Sequence, residues 1–257
     1  MLLLGFLRFT LNPGTVVKSI YPKSDIKMMR YILLLVLTAF SFISCKKEAE
    51  LPQISTHKYT YLALGDSYTI GENVPKEDRW GEQLAVMLRE KNLDVANPVT
   101  IARTGWTTSE LANAIRSENP PATFDLVSLL IGVNNQYRGQ SLTTYRTEFK
   151  ELLQTAIRLA GSSPENVIVL SIPDWGATPF GANRDRQQIA QEIDAFNAVA
   201  RQEAQNASIT FIDITPLTRQ FGDDASYLAP DRLHYSGKMH RDWALLALPY
   251  AETILQD

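Results

Sequence analysis

The chain predicts an α/β fold: a mainly parallel sheet of five strands with helices on both faces, a three-layer α/β/α sandwich. Two observations carry this. From residue 58 onward, short apolar runs of strand length alternate with longer segments of helical period. The first three runs are also followed within three residues by Gly, as strands are when they leave a sheet for a tight turn.

The strand-like runs are 58–64, 98–102, 125–131, 166–172 and 208–213. The helical segments are 79–92, 107–117, 142–160, 185–205 and 238–255. In the first of these Trp80, Leu84, Met87 and Leu88 share a face, and in the fourth Ile189, Ile193, Phe196 and Ala200 do so. Both stripes read as core. There is no internal repeat or low-complexity tract. A length of 257 residues suits one domain plus an export segment, and 45% apolar residues suffice for its core.

Ser67 stands in Gly65-Asp66-Ser67, directly after the run Tyr59 to Leu64. In an open α/β sheet ligands bind beyond the carboxyl ends of the strands, so a Ser there is placed as a nucleophile. Its rival role is a helix N-cap or turn residue. A hydroxyl needs a base to take its proton, and the usual base is an imidazole oriented by a carboxylate. Of His57, His234 and His240, only His234 has an Asp three residues before it, Asp231. Gly105 and Asn134 follow the second and third strand-like runs, on the same rim as Ser67. The backbone N–H groups of Ser67 and Gly105 and the side-chain amide of Asn134 can supply the donors that a developing oxyanion needs.

These four blocks, Gly65-Asp66-Ser67, Gly105, Gly132-x-Asn134 and Asp231-x-x-His234, resemble in kind and order the SGNH, or GDSL, hydrolase family. The resemblance runs from about Lys58 to the C-terminus. It implies the flavodoxin-like SGNH hydrolase fold and a serine esterase or acylhydrolase. Ser67 is then the nucleophile, Asp231 and His234 complete the triad, and Ser67, Gly105 and Asn134 form the oxyanion hole. The family has Gly-x-Asn-Asp in its third block. Here Asn135 takes the last place, which lies outside the family's catalytic set. No metal or organic cofactor is implied.

Two loops on the reactive rim are expected to shape the substrate site. One holds Asn135 and Tyr137, the other Trp175 and Phe180. Trp175 and Phe180 either line an acyl or sugar pocket or pin their own loop. Arg103, Arg138 and Arg184 are candidates for an acidic group, with surface solvation the simpler role. The expected substrate is a carboxylic ester or thioester: an acyl ester, a lysophospholipid or an acetylated carbohydrate. A rival reading is a non-catalytic glycan-binding lipoprotein on a retained hydrolase fold.

Arg30 is followed by an apolar stretch, Tyr31 to Ser44, that is short for a membrane span. It ends at Cys45, the chain's single cysteine, with Lys46-Lys47 after it. The pattern resembles a bacterial lipoprotein signal over 28–45, with Cys45 lipidated. Residues 46–57 then form a polar tether to a hydrolase domain at 58–257. The expected location is the bacterial cell envelope, on its periplasmic or surface side. Residues 1–27 fit no export logic, and translation is expected to start at Met28 or Met29. Residues 1–44 hold five Lys/Arg and one Asp, so the rest carries 20 basic and 27 acidic side chains, a net of −7. That balance does not suggest a nucleic-acid partner.

Overall fold

The computed structural model describes residues 57–121 and 123–256. The expected signal, Cys45 and nearly all of the tether lie outside the described residues. Among the described residues no helix is long and apolar enough to cross a membrane.

Five strands form one parallel sheet in the order β2-β1-β3-β4-β5. They are β1 (Tyr61–Gly65), β2 (Val99–Ala102), β3 (Leu126–Leu130), β4 (Val167–Leu170) and β5 (Thr210–Ile212). Every residue of β1, β3 and β4 is buried, as expected of parallel strands covered on both faces. The edge strands β2 and β5 are only partly covered. Four strands fall within their expected runs, and β1 extends one residue past its run, to Gly65.

Five long helices match the expected segments closely. They are α2 (Trp80–Glu90), α3 (Thr108–Glu118), α5 (Leu142–Leu159), α6 (Arg186–Asn206) and α8 (Gly237–Gln256). α2 packs on α8, while α5 packs on α3 and on α6. Caps set several of their starts. Thr107 and Glu110 form a capping box at α3. Ser141 accepts from Thr144 N–H at α5, and Asp185 from Gln188 N–H at α6. The expected core stripes of α2 and α6 are buried throughout. Three short helices, α1 (Ser67–Ile70), α4 (Val133–Tyr137) and α7 (Thr215–Phe221), were not expected from the sequence. Each is too short to show a 3.6-residue period.

The strand order places the site. β1 has β2 on one side and β3 on the other, the kind of switch point at which open α/β sheets open a crevice. In the ladder Gly65 faces Ala102 on one side and Leu130 on the other. The three strands therefore end level, and the segments that begin at Asp66, Arg103 and Ile131 emerge on one rim. Gly65 permits this closeness. A Cβ there would collide with Thr69 Oγ1 and lie 2.5 Å from the Leu130 carbonyl oxygen.

Candidate active site

Ser67 is the first residue of α1, a single turn that starts where β1 ends. The N-cap is Asp66, not Ser67: the Asp66 carboxylate accepts the Tyr68 N–H at 3.0 Å. The serine hydroxyl is thus spared the capping role. As the first helical residue, Ser67 also has a backbone N–H with no acceptor inside the helix.

His234 arrives from the far end of the chain, three residues before α8 begins. Its Nδ1 lies 2.6 Å from Asp231 Oδ2. Oδ1 of the same carboxylate accepts the backbone N–H groups of Leu233 at 3.0 Å and His234 at 2.9 Å. Partial burial alone would raise the Asp231 pKa. The donation from the His234 ring and from the two backbone amides outweighs it and leaves the carboxyl below its usual range. Asp231 is therefore an anion matched to the Nδ1–H tautomer, which turns Nε2 away from Asp231 as a base. The Tyr68 ring lies beside the imidazole, with centroids 5.2 Å apart.

Ser67, Asn134 and His234 line one cavity of about 180 Å³. Tyr68, Val133, Tyr137, Trp175, Phe180 and Leu233 complete its wall, which is mostly apolar. Gly105 does not line it, but its loop is attached to the site. Asn134 Nδ2 donates to the Trp106 carbonyl at 3.0 Å and faces Asp66 Oδ2 at 3.5 Å. Arg138 donates to the Gly105 carbonyl and pairs with Glu110 at 3.2 Å. Gly105 holds a φ of +83°, which a side chain would strain although there is room for one.

The structure corrects one expected lining residue. Asn135 is fully buried and faces away from the cavity. Its Oδ1 accepts the Thr108 N–H at 3.1 Å, and its Nδ2 donates to Thr108 Oγ1 at 2.6 Å and to Gln140. Successive residues on the short α4 point in different directions, so Asn134 takes the cavity and Asn135 the α3 start. The alternatives for Trp175 merge. It is 5% exposed and donates Nε1–H to Gln136 at 2.8 Å, yet it lines the cavity between Tyr137 and Phe180. Tyr137 and Phe180 lie at the mouth, 49% and 44% exposed. Tyr68, Val133 and Leu233 were missed, although each adjoins a residue already singled out by sequence. Arg138 is engaged by the Gly105 carbonyl and by Glu110, so it is not a free cation awaiting an acidic ligand.

The model of the GDSL-like lipase/acylhydrolase family matches residues 63–241, which span all four blocks. This chain belongs to that family. Like other GDSL-type proteins it is an ester-hydrolysing enzyme. The structure of TesA aligns with a TM-score of 0.57 at 18% identity, over 76% of this chain and 99% of that one. The lipase/acylhydrolase from Enterococcus faecalis aligns with a TM-score of 0.57 at 20% identity, over 76% and 96%. An acetyl xylan esterase, AlAXEase, aligns with a TM-score of 0.58 at 17% identity, over 74% and 98%. At these identities the likeness is one of fold. No curated protein sequence matches significantly.

Proposed function

We propose that this GDSL-type enzyme hydrolyses short-chain carboxylic esters of polar alcohols through an acyl-enzyme on Ser67. The observation that carries the reading is the cavity shared by Ser67, Asn134 and His234, with Asp231 bound to the far side of the imidazole. Ser67 Oγ attacks the acyl carbonyl as His234 Nε2 takes its proton. The oxyanion is held by the N–H groups of Ser67 and Gly105 and by the Asn134 amide. Collapse breaks the bond to the alcohol oxygen, which leaves with the proton from His234. Water then gives its proton to His234 and attacks the acyl-enzyme, which releases the acid and restores Ser67.

The wall supports a short acyl group. A cavity of 180 Å³ is smaller than the roughly 300–1,000 Å³ of drug-sized sites. A groove whose lining includes Gln136, Arg184, Gln188 and Glu192 shares Tyr137 and Trp175 with it and offers polar partners to a hydroxylated alcohol portion. An acetylated carbohydrate fits both halves. The test is a series of chromogenic esters from acetyl to palmitoyl, run beside acetylated xylo- and gluco-oligosaccharides. Turnover that peaks at acetyl or butyryl and vanishes in Ser67→Ala supports the reading. A peak at long acyl chains overturns the short-chain assignment. Absence of fluorophosphonate labelling at Ser67 overturns the acyl-enzyme.

We also propose that Cys45 is lipidated and anchors the enzyme in a bacterial envelope. Support comes from Arg30, the apolar stretch, the single cysteine and the polar residues after it. Mass spectrometry of the native protein tests this. A diacylated N-terminal Cys45 is expected, and an unmodified Cys45 within a longer chain refutes it.

A further inference from the structure

The two catalytic loops meet at a residue that neither loop's chemistry requires. Asn73 lies in the turn after α1, on the segment that carries the nucleophile. Val74 N–H donates to the Gly71 carbonyl at 3.1 Å and closes a four-residue turn. Asn73 is third in that turn, with a φ of +63°. Gly and Asn both tolerate that place, so the backbone alone does not choose between them. The side chain does. Asn73 Nδ2 donates to Asp231 Oδ2 at 2.6 Å, the oxygen that also faces His234 Nδ1 at 2.6 Å.

A carboxylate offers about four acceptor positions. Those of Asp231 are met by the His234 ring, two backbone amides of its own loop, and Asn73. Of these four donors only Asn73 comes from another part of the chain. We propose that Asn73 is a positioning residue for the triad: it ties the Asp231 carboxylate to the segment bearing Ser67 and shares Oδ2 with His234. Two consequences follow. The carboxylate cannot rotate as the imidazole gains and loses its proton. Asn73 also draws charge from Oδ2, which tempers how strongly Asp231 favours the imidazolium. Exposed solvent can replace the donation but not the tether.

The test uses two variants of the full chain, assayed on 4-nitrophenyl acetate from pH 4 to pH 9. Asn73→Gly keeps a residue suited to φ +63° and removes only the amide. Asn73→Asp keeps the shape and sets a carboxyl against Asp231. The other groups about His234 are the same in both. They are Tyr68, whose hydroxyl pKa burial pushes up, the buried Asp66, Asp174 near Tyr68, and His240, which burial keeps neutral. In Asn73→Gly, kcat should fall by about 3–10-fold, the rate equivalent of one net hydrogen bond. KM should stay within about twofold. The acid limb of kcat/KM should move up by a few tenths of a pH unit. Asn73→Asp should move that limb up by about one unit, because a second negative charge beside Asp231 further favours the imidazolium. A Gly variant with the wild-type kcat and acid limb overturns the proposal, as does loss confined to KM. Wild-type turnover with a silent Ser67→Ala in the same plates separates either result from failure of the hydrolase reading.

Discussion

The backbone N–H of Trp80 donates to Nδ1 of His240 at 3.0 Å. Trp80 is the first residue of α2, and Arg79 before it has no side-chain acceptor for a cap. His240, brought over by α8, supplies one from a distant part of the chain. Burial lowers its pKa to about 3, so the ring is neutral and Nδ1 is free to accept. His234 faces Asp231 and lines the cavity with Ser67, whereas His240 serves the α2–α8 contact.

The first prediction separates these two histidines. His240→Ala should cost about 2–4 kcal/mol, through a buried N–H left without its acceptor and a cavity beside Trp243. Activity per folded molecule should stay within about threefold. His234→Ala should leave the denaturation midpoint nearly unchanged and lower kcat by roughly 10⁶, as Ser67→Ala should. Asp231→Ala should cost less than either, because it orients and stabilises without exchanging the proton. Urea melts and single-turnover rates on the same preparations check this. An inactive but stable His240→Ala would exchange the two assignments.

The second prediction concerns adjacent asparagines. Asn134→Ala should lower kcat by roughly 10²–10³ with little change in KM, the loss expected of the proposed oxyanion donor. Asn135→Ala should chiefly destabilise. Thr108 would lose an acceptor for its N–H and a donor for its hydroxyl, at about 1–3 kcal/mol. Equal kcat losses at the two positions, with unchanged melting, would contradict this division.

The third prediction tests the aromatic wall. Trp175 is buried, bonded to Gln136 and in edge contact with Tyr137 and Phe180. Phe180 is half exposed at the mouth. Phe180→Ala should open the cavity and shift the preferred ester by about two carbons, with a stability change under about 1 kcal/mol. Trp175→Ala should cost about 3 kcal/mol or more and blunt turnover of every ester. Competition between acetyl and hexanoyl esters reads the shift directly, and an unchanged preference in Phe180→Ala removes it from the acyl wall.

The sheet and its long helices were legible because their signals are local. The runs ending at Leu64 and Ile131 are largely apolar, and the α2 and α6 stripes repeat with helical period. The Ser67 and Asn134 positions were legible because strand ends fix where a side chain emerges, and His234 because Asp231 stands three residues before it. What stayed hidden depends on contacts between distant segments. Asn135 reads as a loop residue like Asn134 until α3 is placed beside it. His240 has no Asp three residues before it, and its own role shows only when α2 is seen to start against its ring. Asn73 reads as an ordinary turn residue, because no local pattern links it to Asp231.

The last prediction rests on Asp66, which is fully buried between the Tyr68 amide and Asn134. Burial raises its pKa from 3.8 to about 7, against the opposing donation from Tyr68 N–H. A carboxyl whose pKa is raised by folding binds its proton more tightly in the native state than in the unfolded one. Its contribution is therefore fully present below about pH 4 and is lost as the pH rises through about 7. Asp66→Asn keeps an oxygen to accept from Tyr68 N–H and removes the ionisation. Relative to wild type, the variant should gain on the order of 2–4 kcal/mol between pH 4 and pH 8. Urea melts of both proteins at pH 4.5, 6 and 8 measure that difference. If the gap between them is the same at all three values, Asp66 does not titrate in this window, and it is held charged by donors stronger than the Tyr68 amide.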